Sequence, residues 1–126
     1  MLSFFKKRLR SFGYALRGIV QLFKTETHAK LHLLAAIAVV GLGFLLRVSS
    51  TDWAILVLCI ALVIVAEALN TAIEATVDLV SPDYHVLARK AKDVAAGAVL
   101  LAAIAAAIIA VIIFLPKIFT LLLAYL

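Results

Sequence analysis

The sequence predicts an all-α membrane protein in which one amphipathic helix at the membrane surface precedes three transmembrane helices. Three observations predict it. The hydrophobic fraction is 67% and the mean hydropathy +1.21, whereas a soluble domain is about half apolar. The excess lies in three runs, Leu31–Leu46, Trp53–Ala66 and Val94–Leu115. A membrane span needs ~20 mostly apolar residues; the third run supplies them unaided and the first two reach that length with their polar flanks. The cations are also placed unevenly. Lys6, Lys7, Arg8, Arg10, Arg17, Lys24 and Lys30 precede the first run, and Arg89, Lys90 and Lys92 lie between the second and third. Only Arg47 and Lys117 fall on the other side. Positive residues stay on the cytoplasmic side, so the N-terminus and the second connection are expected to be cytoplasmic, with the first connection and the C-terminus outside. At 126 residues the chain is expected to be one domain, 1–126.

Residues 1–25 are read as the surface helix. Phe5, Leu9, Phe12, Leu16, Ile19, Val20 and Phe23 recur at three- and four-residue steps, and Arg10, Arg17 and Lys24 recur at sevens on another face. A cationic face opposite a Phe/Leu face suits a helix lying in the interface. The segment KTETHAKLH, 24–32, then carries Glu26, the only acid before Asp52. His28 and His32 stand at i and i+4, a spacing that can bind zinc, but no third ligand accompanies them, so interfacial anchoring is preferred. Thirty residues precede the first run and no small-residue cleavage pattern follows Leu46, so a cleaved signal is not expected.

The first span, about 29–47, contains Gly41 and Gly43, which inside an apolar helix point to close helix packing. Arg47–Asp52 is a turn, with Ser49, Ser50, Thr51 and Asp52 as alternative N-caps. The second helix is expected over 52–80, ~43 Å long and so longer than a ~30 Å hydrocarbon core. Its last turns therefore reach the cytoplasmic interface. There Glu67, Asn70, Glu74 and Asp78 fall at i, i+3, i+7 and i+11, one polar stripe with Thr71 at its edge. The stripe has a competing reading as a solvated helix end. Three acids on one face repel unless a cation joins them, which favours function.

Ser81-Pro82 is expected to end that helix, with Ser81 as N-cap and Pro82 opening the next. The third span, about 83–115, starts with a face of His85, Arg89 and Lys92 that suits membrane anchoring and phosphate binding alike. Its Ala-rich course, with Gly97, allows close backbone approach. Three thin spans would leave the acidic face poorly enclosed, which argues for an oligomer. Pro116 is expected to stop the helix, leaving 116–126 as a hydrophobic tail. Cys59, alone in mid-span, reads as a packing residue. The cations flank membrane segments without an aromatic-interleaved basic face, so nucleic acid is not an expected partner. No phosphate-cradling glycine loop or nucleophile elbow is present, so any nucleotide would be held by carboxylate-bound Mg²⁺ and cationic side chains.

EALNTAIEATVD at 67–78 and AKDVAAGAVL at 91–100 resemble the signature of the small integral-membrane bacterial diacylglycerol kinases, a family that includes undecaprenol kinases. The resemblance extends through SFGYALRG (11–18), TETHAKLH (25–32) and FLPK (114–117), nearly the whole chain apart from the tail. It implies a homotrimeric bundle of three-span protomers transferring the γ-phosphate of ATP to a lipid hydroxyl, with Mg²⁺. By resemblance Glu67 matches the general base, Glu26 and Glu74 the metal-binding carboxylates, Lys92 and Asp93 the pair at the phosphates, and Asn70 the amide of the site. Tyr14 matches a nucleotide contact, Lys7 falls where relatives carry an N-terminal Arg, and Asp78, Asp83, Tyr84 and His85 complete the nucleotide-facing set. TETHAKLH and FLPK look closer to the undecaprenol branch than to the diacylglycerol branch. A small cation transporter using the same acids is the non-enzymatic alternative. It leaves Lys92-Asp93 unexplained.

Overall fold

The computed structural model of the chain describes residues 2–123, and all of its regular secondary structure is helical. Helix α1 runs Leu2–Thr25, α2 Thr27–Leu45, α3 Ser50–Val80 and α4 Val86–Leu123. The last three are each long and apolar enough to cross a membrane. Helices α3 and α4 form the most extensive pair; α2 packs mainly on α3, and α1 touches α2 and α3 lightly. Large apolar side chains such as Leu34, Phe44, Leu58, Leu101 and Ile112 face outward. That is the pattern of helices solvated by lipid or by further helices rather than by water.

Helices α1 and α2 are joined at a single residue. Glu26 is extended (φ −89°, ψ 119°) and serves as N-cap position of α2 without a capping side-chain bond. Its N–H still donates to the Leu22 carbonyl at 3.0 Å, and the Thr25 hydroxyl donates to Glu26 Oε1 at 2.8 Å. The turn between α2 and α3 is short because it is well capped. Arg47 adopts a left-handed conformation (φ 49°). Of the four candidate caps, Ser49 is the one used: the Asp52 N–H donates to Ser49 Oγ and the Ser49 N–H donates to Asp52 Oδ2, each at 3.1 Å. This reciprocal box starts α3 at Ser50, two residues before the expected boundary. Asp52 lies before the apolar run, and its hydrogen bonds with Ser49, aided by Lys117, hold the carboxyl below the usual carboxylate range.

The best-packed part of the protomer is at this turn end. Val48, Leu56, Ile113 and Phe114 are buried together, with Trp53, Leu46 and Ile109 against them. Gly43 is required here, because a Cβ on it would lie 2.7 Å from Trp53 Cη2. The Trp53 ring also meets Phe44, with centroids 4.9 Å apart. No such neighbour approaches Gly41 within the protomer, so of the two glycines only Gly43 has the close-packing role within it.

Two expected boundaries are corrected. Pro116 does not stop the last helix, which continues through it to Leu123. Continuing past a proline leaves one carbonyl unbonded, whereas ending the helix would free four, and apolar surroundings make the second loss larger. The Thr120 hydroxyl donates to the Pro116 carbonyl at 3.0 Å, and Lys117 Nζ reaches Asp52 Oδ2 at 3.4 Å. Residues 124–126 of the expected tail lie outside the described residues. Likewise Ser81 does not open the following helix but closes α3, its N–H donating to the Val77 carbonyl at 2.8 Å. Residues 81–85 form a loop, and α4 starts at Val86 because His85 Nδ1 accepts the Leu87 N–H at 3.1 Å, the bond an N-cap side chain makes.

Gly43→Leu should therefore lower the thermal midpoint in detergent, by the equivalent of ~1–3 kcal/mol, since the new side chain must displace Trp53. An unchanged midpoint would contradict the close approach of α2 to α3.

Candidate active site

The polar stripe of α3 is half sunk into the helix bundle. Glu67 is the only buried charged residue among the described residues, at 4% exposure. Asn70, one turn on, is fixed by Glu74: its Nδ2 donates to Glu74 Oε1 at 3.1 Å. Only the amide nitrogen can donate to a carboxylate, so the Asn70 Oδ1 points the other way, and there it is buried without a hydrogen-bond partner. A buried acceptor left unpaired costs ~1–3 kcal/mol. The free acceptor therefore marks a place built for a donor or a cation.

Glu67, Asn70 and Glu74 form one wall of an open cavity of about 350 Å³. Helix α4 contributes the apolar wall, Ala96, Val99, Leu100 and Ala103. From α2 come His28 and His32. The cavity is thus oxygen-rich on one side, hydrocarbon on another and imidazole on the third. An amphipathic ligand with one oxygenated end fits that division.

The fourth stripe residue leaves the cavity and ties α3 to α4. Lys92 Nζ lies 2.6 Å from Asp78 Oδ1. The pair lies beyond the apolar runs, and the hydrogen bond to Asp78, with the charges of Asp78 and Glu74 adding, raises the Lys92 ammonium pKa above its ordinary value. Next to it Arg89 Nε faces Asp93 Oδ2 at 3.7 Å, both side chains well exposed. The expected cationic face of His85, Arg89 and Lys92 is therefore largely paired off: one residue caps a helix and two hold carboxylates.

A profile of prokaryotic diacylglycerol kinases matches residues 13–114. The undecaprenol kinase of Bacillus subtilis is 47% identical over 108 residues, which cover 86% of this chain and 88% of that one. The diacylglycerol kinase of Synechocystis is 45% identical over 114 residues, 90% of this chain but 65% of its own longer one. The Escherichia coli K12 diacylglycerol kinase is 33% identical over 104 residues, 82% of this chain and 85% of that one. The chain belongs to the prokaryotic diacylglycerol kinase family. It is a multi-pass membrane enzyme, a lipid kinase, and the transporter alternative finds no support among these relatives.

Within one protomer of this kinase the residues expected at the site are only partly gathered. Glu67, Asn70 and Glu74 share the cavity, with Asp78 and Lys92 continuing the stripe. Glu26 is elsewhere. It borders a larger, mostly apolar groove of about 760 Å³ between α1 and the other flank of α3, with Leu22, Ala68, Thr71 and Ala75. The Glu26–Glu74 pair implied by the resemblance therefore does not line one cavity in a single protomer. Lys7 and Tyr14 lie on α1, where Tyr14 is exposed with the Arg17 guanidinium 5.0 Å from its ring centroid. Asp83, Tyr84 and His85 lie in or beside the α3–α4 loop, the Asp83 carbonyl accepting the Ser81 hydroxyl at 3.2 Å. Sequence reading missed that His28 and His32 face the acids. Their i, i+4 spacing placed them on one side of α2, but nothing in the sequence said which helix that side meets.

Because the Lys92 pKa is raised, the pair with Asp78 stabilises the folded state fully below the ordinary lysine value of 10.5, and the contribution fades as pH rises through the folded-state value. The gap in unfolding midpoint between the parent and Asp78→Asn should therefore stay constant from about pH 7 to 9 and close at more alkaline pH. A gap that closes near neutrality would mean that Lys92 is not the partner that matters.

Proposed function

We propose that this kinase transfers the γ-phosphate of ATP to the primary hydroxyl of a membrane lipid alcohol, undecaprenol or diacylglycerol, at the cytoplasmic face of a bacterial inner membrane. The observation that carries the reading is Glu67: a carboxylate at 4% exposure, set between an apolar wall and an oxygen-rich one. A lipid alcohol is a weak nucleophile. As its oxygen bonds to the γ-phosphorus, its proton passes to the Glu67 carboxylate, the bond from that phosphorus to the bridging oxygen breaks, and ADP leaves with the electron pair. Asn70 orients this end of the site through its bond to Glu74. Lys92, charged and with two donors left beyond the one given to Asp78, faces phosphate oxygens, and Asp93 stands beside it.

Mg²⁺ fits the donors present. Glu74 and the unpaired Asn70 Oδ1 are hard oxygen groups, and Mg²⁺ takes one or two carboxylates and completes its shell with water and phosphate. Glu74 and Glu26 are the residues proposed to hold it. When bound, the ion offsets the charge on the β- and γ-phosphates. Tyr14, Lys7, Asp83, Tyr84 and His85 are proposed to border the nucleotide from α1 and the α3–α4 loop.

The separate grooves of Glu26 and Glu74 support a homotrimer in which one subunit's Glu26 completes the site of another. Exposed apolar faces on every span and the small residues of α4 agree with such packing, and α1 then lies in the interface with Phe12, Leu16 and Ile19 toward lipid. Undecaprenol is favoured as acceptor on the motifs TETHAKLH and FLPK, and the undecaprenol kinase among the relatives agrees.

Glu67→Gln keeps the side-chain shape and removes the proton acceptor, so kcat should fall by about 10²-fold or more while ATP binding survives. Equal loss of ATP binding would make Glu67 a nucleotide ligand instead. Glu26→Gln and Glu74→Gln should each abolish turnover alone. Co-assembled from the two inactive variants, mixed trimers should regain part of the activity, because some of their interfaces pair two intact carboxylates. Mixtures that stay inactive would exclude a site shared between subunits.

A further inference from the structure

The cavity at Glu67 is short of donors. Its α3 wall offers the Glu67 carboxylate, the buried and unpaired Asn70 Oδ1, and Glu74, while Asn70 Nδ2 gives one of its two N–H groups to Glu74. The α4 wall is aliphatic. Beyond the second Asn70 N–H, the donors among the lining residues are the imidazoles of His28 and His32 on α2, each of which in neutral form has one N–H to give. They stand about 6 Å apart along the helix. Helix α2 runs antiparallel to α3 across the Ser49 turn, so His32 lies nearer the turn end of the cavity and His28 nearer its loop end. His32 is half-buried, in contrast to its exposed neighbours Leu31, Leu33 and Leu34.

This distribution restricts what an acceptor can find there. A lipid hydroxyl gives its single proton to Glu67. Any other oxygen of the lipid near that hydroxyl is an acceptor, and across the cavity from the acids it is the histidines that can satisfy it. A polyprenol has no such oxygen. A diacylglycerol with a primary hydroxyl has one ester oxygen on the adjacent carbon and another on the carbon beyond. We infer that His32, with His28 one turn closer to the α3–α4 loop, hydrogen-bonds the ester oxygens beside the reactive hydroxyl and so admits ester-bearing alcohols to a site that also takes hydrocarbon alcohols. The inference rests on the kinase reading above and extends it to acceptor choice. An imidazole N–H beside the hydroxyl does nothing for a pure hydrocarbon tail, so the two acceptor classes respond differently to its loss.

The experiment measures steady-state kinetics of the full chain in mixed micelles, with diacylglycerol and a polyprenol as alternative acceptors. His32→Leu should lower kcat/KM for diacylglycerol by about tenfold, chiefly through KM, as expected for an ester oxygen left without its donor. The polyprenol kcat/KM and the KM for ATP should stay within about twofold, which also reports that the variant is folded. His32→Gln, which keeps an N–H donor, should recover part of the loss, and adding His28→Leu to His32→Leu should deepen it. Equal loss on both acceptors, no loss on either, or a matching rise in the KM for ATP would each overturn the assignment. Parent protein active on polyprenol but inert toward diacylglycerol would overturn it too while leaving the kinase reading intact. Parent protein that phosphorylates neither alcohol would overturn both.

Discussion

A carboxylate removed from water inside an apolar bundle is the constraint on which the rest of this structure depends. Glu67 is 4% exposed, and a charged group buried among apolar helices is costly enough that a chain retains one only with compensation nearby. Much of the molecule can be understood as that compensation. Helix α3 is long enough, at 31 residues, to keep Glu67 below the surface while its later turns carry Asn70, Glu74 and Asp78 outward. Asn70 is held by Glu74 so that an amide, not a hydrocarbon, lies next to the acid. Imidazoles rather than leucines face it from α2.

Holding such a group still requires that α3 and α4 do not slide, and the two helices are pinned at both ends by opposite charges. Asp78 meets Lys92 at 2.6 Å on the loop side, and Asp52 meets Lys117 at 3.4 Å on the turn side. Exposed ion pairs add little stability, but two of them, one at each end of a hairpin, fix its register. Between them the interface is thin: Val63 on α3 and Ala95, Val99 and Ala102 on α4 are the buried apolar side chains there. Bulk is concentrated at the turn end, where Leu56, Ile113, Phe114 and Trp53 pack. The protomer is therefore tight at one end and open at the other, and the open end is where the cavity lies.

The sequence carried the periodic part of this description. The spans follow from the length of the apolar runs, and the polar stripe and its residues from spacing, because a 3.6-residue repeat fixes which side chains share a face. What spacing does not encode is the partner of each face. That Glu26 lies on the opposite flank of α3 from Glu74, and that His28 and His32 look at the acids, depend on how helices are rotated against one another. Local rules failed in two places for a shared reason. Proline read as a terminator at 116 and as a helix opener at 82, but context decides: the apolar surroundings of Pro116 favour continuing the ladder, and His85 provides a better cap than Ser81. The Ser49 box was readable, as one of four candidates.

The one-residue joint between α1 and α2 has a mechanical consequence. Helix α1 has 24 residues, a rigid arm ~36 Å long, so a swing of about 5° at its base moves the far tip by ~3 Å. Glu26 is the fulcrum of that arm, and a fulcrum is the one point that does not travel when the arm does. An acidic group stationed there keeps its distance from α3 while α1 swings, which a residue two turns further back along α1 would not do.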